Sequence, residues 1–150
     1  VADSTAVSSL DRLLEAASAR IERLSPQTAY EAAHAGALIV DIRGEADRAR
    51  DGVVPGSLHV PRTVLEWRLA HDSPWRTPYC PGLDRRVLVL CDHGCSSALA
   101  AATLVDLGYR RVGDVIGGYA AWRDAGLPTC AAPPSQRVPG EPAGIRPPGP

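Results

Sequence analysis

At 150 residues the chain is long enough to bury a core of its own, and 45% hydrophobic with 22% charged residues is the composition of an ordinary globular protein. A formal net charge of −1 leaves no electrostatic footprint for nucleic acid or acidic membranes, and no apolar run approaches a membrane span or a signal-peptide core. Four Cys in a chain of this length do not make a disulfide scaffold, so the expected compartment is a reducing cytoplasm.

In chain order, Leu10, Leu13, Leu14, Ala17, Ile21 and Leu24 recur at helical spacing, which predicts an amphipathic helix from Ser8 to Leu24 packing on the rest of the domain. Ser25 and Pro26 have the N-cap and first-turn chemistry of a second helix, running to Ala35 and stopped by Gly36. Ala37 to Ile42 reads as a strand, Glu45 to Arg50 as a short exposed helix before a turn at Gly52, and Leu58 to Val60 as a short strand. Thr63 to Ala70 is helical in pattern, and His71 to Asp84, with three Pro and a Gly, is an irregular loop. The apolar run Arg86 to Leu90 predicts a strand buried on both faces, followed by a helix from Ala98 to Leu107 that Gly108 stops. Val112 to Ile116 and Tyr119 to Ala125 give a last strand and a last helix. Strands alternating with helices imply an α/β fold, a central parallel sheet with helices on both faces. From Pro128 onward the composition shifts to eight of the 14 Pro, which predicts an extended or disordered tail over residues 129–150.

The segment that carries chemistry is Cys91 and the loop Asp92-His93-Gly94-Cys95-Ser96-Ser97 that joins the buried strand to the next helix. A side chain at the carboxyl end of a parallel strand, facing the free N–H groups of a helix start, sits where α/β proteins bind anions. A thiol there becomes acidic: at a reference pKa near 8.5 about 3% is thiolate at pH 7, whereas a shift to roughly 6.5 makes it about three quarters. The competing reading of Cys91 is a small hydrophobe capping the strand.

Four segments resemble the rhodanese-type sulfurtransferases in order and spacing. The loop Cys91-x-x-Gly94-x-Ser96-Ser97 is similar to the family's active-site loop. Leu38-Ile-Val-Asp41-Ile42-Arg43 resembles its first strand with an Asp-x-Arg ending, and Gly52-Val-Val-Pro55-Gly56-Ser57-Leu58-His59-Val60-Pro61 its Gly-His-Ile-Pro-Gly segment. Val115-Ile-Gly117-Gly118-Tyr-Ala-Ala-Trp122 with Gly126-Leu-Pro128 resembles its closing Gly-Gly-x-x-x-Trp signature. The resemblance places the rhodanese-like domain at residues 25–128, between an N-terminal helical segment, 1–24, and the Pro-rich tail, 129–150. The departures are Val53 in place of His, an acidic Asp92 beside the thiol, and a second thiol at Cys95.

What the resemblance implies is transfer of sulfane sulfur from a donor such as thiosulfate or 3-mercaptopyruvate to a thiophilic acceptor through a persulfide on Cys91. Gly94 permits close backbone approach, Ser96 and Ser97 add hydroxyl donors, and His93 is a candidate donor to the persulfide; Asp92 and Cys95 complete the substrate-binding loop. Asp41 and Arg43 are expected to pair structurally, Arg48 is a candidate for meeting an anionic donor, and Trp122, Gly117 and Gly118 read as core packing and a tight turn. The partners expected are a small anionic sulfur donor and a thiol, cyanide or protein acceptor. No nucleic acid, membrane, metal or other cofactor is expected, and a monomer or weak homodimer is expected. Three other readings involve the same residues. Phosphatase loops of the same fold close on an Arg where this chain has Ser97, and a zinc site would need Cys80, Cys91, His93 and Cys95 together. A thiol redox or sulfur-carrier module would use Cys91 and Cys95 as a reversible pair.

Overall fold

The computed structural model describes residues 6–133. Helix α1, Ser9–Ser18, opens on a reciprocal cap: the Ser8 hydroxyl accepts from the Asp11 N–H at 3.0 Å while the Asp11 carboxylate accepts from the Ser8 N–H at 3.3 Å. The helix ends well short of Leu24. Glu22–Leu24 forms strand β1, a correction to the helix expected from Ser8 to Leu24. Helix α2, Pro26–His34, starts as its sequence predicts, with the Ser25 hydroxyl accepting from the Thr28 N–H and Pro26 at the first helical position. Strand β2, Leu38–Asp41, helix α3, Glu45–Asp51, and the two-residue strand β3, Leu58–His59, follow. A 3₁₀ turn over Arg62–Val64 runs into α4, Leu65–Leu69. After the irregular loop come β4, Val87–Leu90, α5, Ser97–Asp106, β5, Val112–Val115, and α6, Gly118–Asp124.

The five strands form one all-parallel sheet in the order β1-β5-β4-β2-β3. Every residue of β2, β4 and β5 is buried, as a sheet covered on both faces requires. Side chains alternate between the faces. Val87, Val89 and Cys91 join one apolar cluster with Val40, Leu65, Ala100 and Leu104, under α4 and α5. Leu88 and Leu90 join another with Ala29, Tyr119 and Trp122, under α2 and α6. The alternation that packs Val89 inward thus carries Cys91 to the α5 face, at the carboxyl edge of a central strand.

Two peripheral contacts add to the sequence expectations. The helix over Glu45 to Arg50 is exposed at Glu45, Ala46, Ala49 and Arg50, while Arg48 is buried, because its guanidinium reaches the wholly buried carboxylate of Asp41 at 3.1 Å. The start of the tail is paired: Cys130 exchanges both backbone hydrogen bonds with Val53, at 2.8 and 2.9 Å. The tail beyond residue 133 lies outside the described residues. Among them, no helix is long and apolar enough to cross a membrane.

Candidate active site

Cys91 is 5% exposed. The Gly94 N–H donates to its Sγ at 3.1 Å, so the loop has curled back over its own thiol. Gly94 has φ +80°, and a Cβ there would stand 2.7 Å from the Gly117 nitrogen; both the curl and the close packing require glycine. The curl is held from outside. The carbonyls of Cys91 and Asp92 accept from the N–H groups of Tyr119 and Ala120, at 2.8 and 3.0 Å. Gly118, φ +62°, lies so close to this connection that a Cβ would meet the Cys91 carbonyl oxygen at 2.4 Å. With its carbonyls tied to α6, the loop directs N–H groups and hydroxyls at the sulfur. Burial alone would push the Cys91 thiol up, and hydrogen bonds from Ser97 and Ser96, side chain and backbone, outweigh it and hold the thiol below its ordinary value.

The candidate residues divide accordingly. Gly94, Ser96 and Ser97 converge on Cys91. Asp92 and His93 pair with each other, Nδ1 to Oδ2 at 3.2 Å, and the His93 side chain is 69% exposed, so its ring is engaged in the loop's outer face. Cys95 is exposed, and all four cysteines are free thiols. Asp41 and Arg43 do pair, buried, with two side-chain hydrogen bonds at 3.1 and 2.8 Å, while Arg48 donates to the same carboxylate, so its Nε serves the fold rather than an anionic donor. Cys80 sits elsewhere, 3.2 Å from the Tyr109 hydroxyl, and among the described residues no group of His, Cys, Asp or Glu is placed to hold a metal ion, which removes the four-ligand zinc reading. A cavity of about 490 Å³ opens along β3, lined in part by Arg48, His59, Arg68, Thr77 and Pro133. Cys91 is not among its lining residues, so this cavity is separate from the thiol loop.

The sequence reading missed Asp114 and Arg23. Asp114, wholly buried on β5, accepts from the Ser97 hydroxyl at 2.7 Å and from the Arg23 guanidinium at 2.9 and 3.0 Å. A charged residue inside the apolar strand Val112-Gly-Asp-Val115 demands a buried partner, and that demand was the available signal.

A buried thiol held below its ordinary value, at the end of a central parallel strand and facing N–H and hydroxyl donors, is an arrangement suited to nucleophilic chemistry on an anionic group. The Rhodanese-like domain model matches residues 25–125. The thiosulfate sulfurtransferase GlpE of Stutzerimonas stutzeri is 36% identical over 102 residues, 68% of this chain and 84% of that protein. A sulfurtransferase of Allochromatium vinosum is 38% identical over 94 residues, 63% of this chain and 78% of that protein. The solved structure of a Rhodopseudomonas palustris protein of unknown function, described as a possible tyrosine phosphatase, superposes with a TM-score of 0.75 at 35% identity, over 83% of this chain and 96% of that one. The chain belongs to the rhodanese-like domain family, and its enzyme class is that of the rhodanese-type sulfurtransferases.

Proposed function

We propose that this sulfurtransferase carries sulfane sulfur as a persulfide on Cys91, taking it from a small anionic donor such as thiosulfate or 3-mercaptopyruvate and passing it to cyanide, a small thiol or a carrier protein. The Cys91 thiolate attacks the outer sulfur of the donor. With thiosulfate, the donor's S–S bond breaks, sulfite leaves with the bonding electron pair, and Cys91 holds an anionic persulfide. An acceptor nucleophile then attacks the terminal sulfur and returns the thiolate. The observation that carries this reading is the Gly94 N–H on Sγ at 3.1 Å, with Ser96 and Ser97 converging on the same atom. An anion formed at this sulfur meets donors already in place, so little reorganisation opposes its formation.

Intact-mass spectrometry after incubation with a donor tests the proposal. A gain of one sulfur atom, mapped to Cys91, lost on adding cyanide and absent in Cys91→Ser, is the expected result. A loss of two hydrogens shared by Cys91 and Cys95 would instead favour the redox reading. Hydrolysis of an aryl phosphate without sulfur uptake would favour a phosphatase.

A further inference from the structure

Three groups on three elements line up behind the thiol on the α5 face of the sheet. Arg23 lies directly across from Asp114 in the β1–β5 register, and its guanidinium grips that carboxylate through two hydrogen bonds. Asp114 lies beside Val89 in the β5–β4 register, on the face that Cys91 shares, and accepts from Ser97 at the first residue of α5. Ser97 and Asp114 are wholly buried, whereas the Arg23 side chain is 36% exposed. The Ser97 hydroxyl has one proton and two claimants. It donates to Asp114 in the structure, and it also stands close enough to Cys91 to favour ionisation of the thiol. Asp114 can give that proton up because the Arg23 fork still satisfies both of its oxygens.

We propose that Arg23 is a positioning residue for the Cys91 anion: by holding Asp114 in a two-point clamp it frees the Ser97 hydroxyl to turn from Asp114 to the sulfur when the sulfur becomes charged. No proton changes owner at Ser97; only its acceptor changes, and the thiol proton leaves to solvent. The inference rests on Cys91 working as an anion. Arg23 precedes residues 25–125, the span matched by the family model, so it is a feature of this chain outside that span. The charge on Arg23 also senses a charge on Cys91. In the thiol's own loop the ionisable side chains Asp92 and His93 pair with each other, while Asp41, Arg43 and Arg48 serve the opposite face, where Arg43 stacks 3.9 Å over the Tyr119 ring.

The test is the pH profile of Cys91 alkylation by iodoacetamide, read on the Cys91 peptide by mass, which needs no sulfur donor. Arg23→Met is expected to move the midpoint up by about one unit, leaving about tenfold less thiolate below it, and Ser97→Ala to move it in the same direction. Arg23→Lys, which restores the charge without the fork, should recover part of the shift. Arg20→Met, which removes an exposed ion pair with Asp106 on the same side of the sheet, should leave the midpoint where it is. If Arg23→Met fails to fold, Arg23→Gln, which keeps a donor but no charge, takes its place with the same expected direction. An unchanged or lowered midpoint in the folded Arg23 variant overturns the proposal. A raised midpoint in a protein whose Cys91 takes up no sulfur would refute sulfur transfer and leave the positioning role standing.

Discussion

Gly118→Ala probes how tightly α6 holds the reactive loop. The new Cβ would lie 2.4 Å from the Cys91 carbonyl oxygen and 2.8 Å from the Asp92 carbonyl carbon, and both are backbone atoms with no rotamer to change. Relief to about 3.0 Å needs a displacement of about 0.6 Å at Cys91, the proposed nucleophile, a scale on which reacting geometry is sensitive to about tenfold or more. Overpacking of this kind costs roughly 1–3 kcal/mol, and the left-handed backbone at φ +62° adds about 1 kcal/mol. Together these lower the melting temperature by roughly 5–15 °C. Gly126→Ala separates the two contributions, because Gly126 has φ +71° and nothing within 4 Å of the site of its Cβ. Thermal denaturation and kcat/KM for sulfur transfer are measured on both variants. Gly126→Ala should lose about 1 kcal/mol and keep its activity, whereas Gly118→Ala should lose more stability and about tenfold in kcat/KM. If the two variants behave alike in both measurements, the contact does not constrain the loop.

Because the Cys91 thiol is held below its ordinary value, its thiolate is present above that lowered folded pKa and is lost as pH falls through it; alkylation of Cys91 should therefore plateau at lower pH in the folded protein than in the urea-unfolded chain, and coincident profiles would contradict this. The same sign makes the thiolate's contribution to stability complete above the unfolded pKa and absent below the folded one. Asp92 places a negative charge beside the thiol, worth about 1.4 kcal/mol against a dianion at about 6 Å in water. Asp92→Asn should accordingly raise kcat/KM for thiosulfate by about tenfold at low ionic strength and help 3-mercaptopyruvate less; changes below about twofold for both donors would show that the carboxylate, which pairs with His93, points away from the site. If Cys95 resolves a Cys91 sulfenic acid, Cys95→Ser should lose activity irreversibly faster under peroxide, and equal rates of loss would exclude that role. Asp41→Asn leaves the buried Arg43 and Arg48 without a counter-charge and should cost about 3–5 kcal/mol in chemical denaturation, where a loss under about 1 kcal/mol would refute the structural assignment of this cluster.

Local chemistry made much of this molecule readable. Ser25 and Pro26 announce α2 because cap and first-turn preferences act within four residues. The run before Cys91 announces β4 because a strand covered on both faces has no polar positions. Glu22–Leu24 was not readable. Ile21 and Leu24 continue the apolar spacing of α1, and three residues are too few to show a period of two; what makes them a strand is β5, about 90 positions away. The loop around Cys91 was likewise visible by residue type, while its support was not. Gly117 and Gly118 read as a turn, and only the tertiary contact reveals that the turn fixes the carbonyls of Cys91 and Asp92. His93 shows the converse: a residue type suited to proton chemistry that the fold turns toward Asp92 and solvent.

The supports of the thiol are remote from it along the chain. Arg23 reaches Asp114 across 91 positions, and the amides that hold the loop belong to α6, the last helix described. A site assembled from contacts of such high contact order closes only once both edges of the sequence have met. Local opening that releases β1 or α6 would remove the donors and the clamp while leaving β4 and its Cys in place. The lowered pKa of Cys91 is therefore a property of the whole domain, because opening at either β1 or α6 returns the thiol toward its ordinary value.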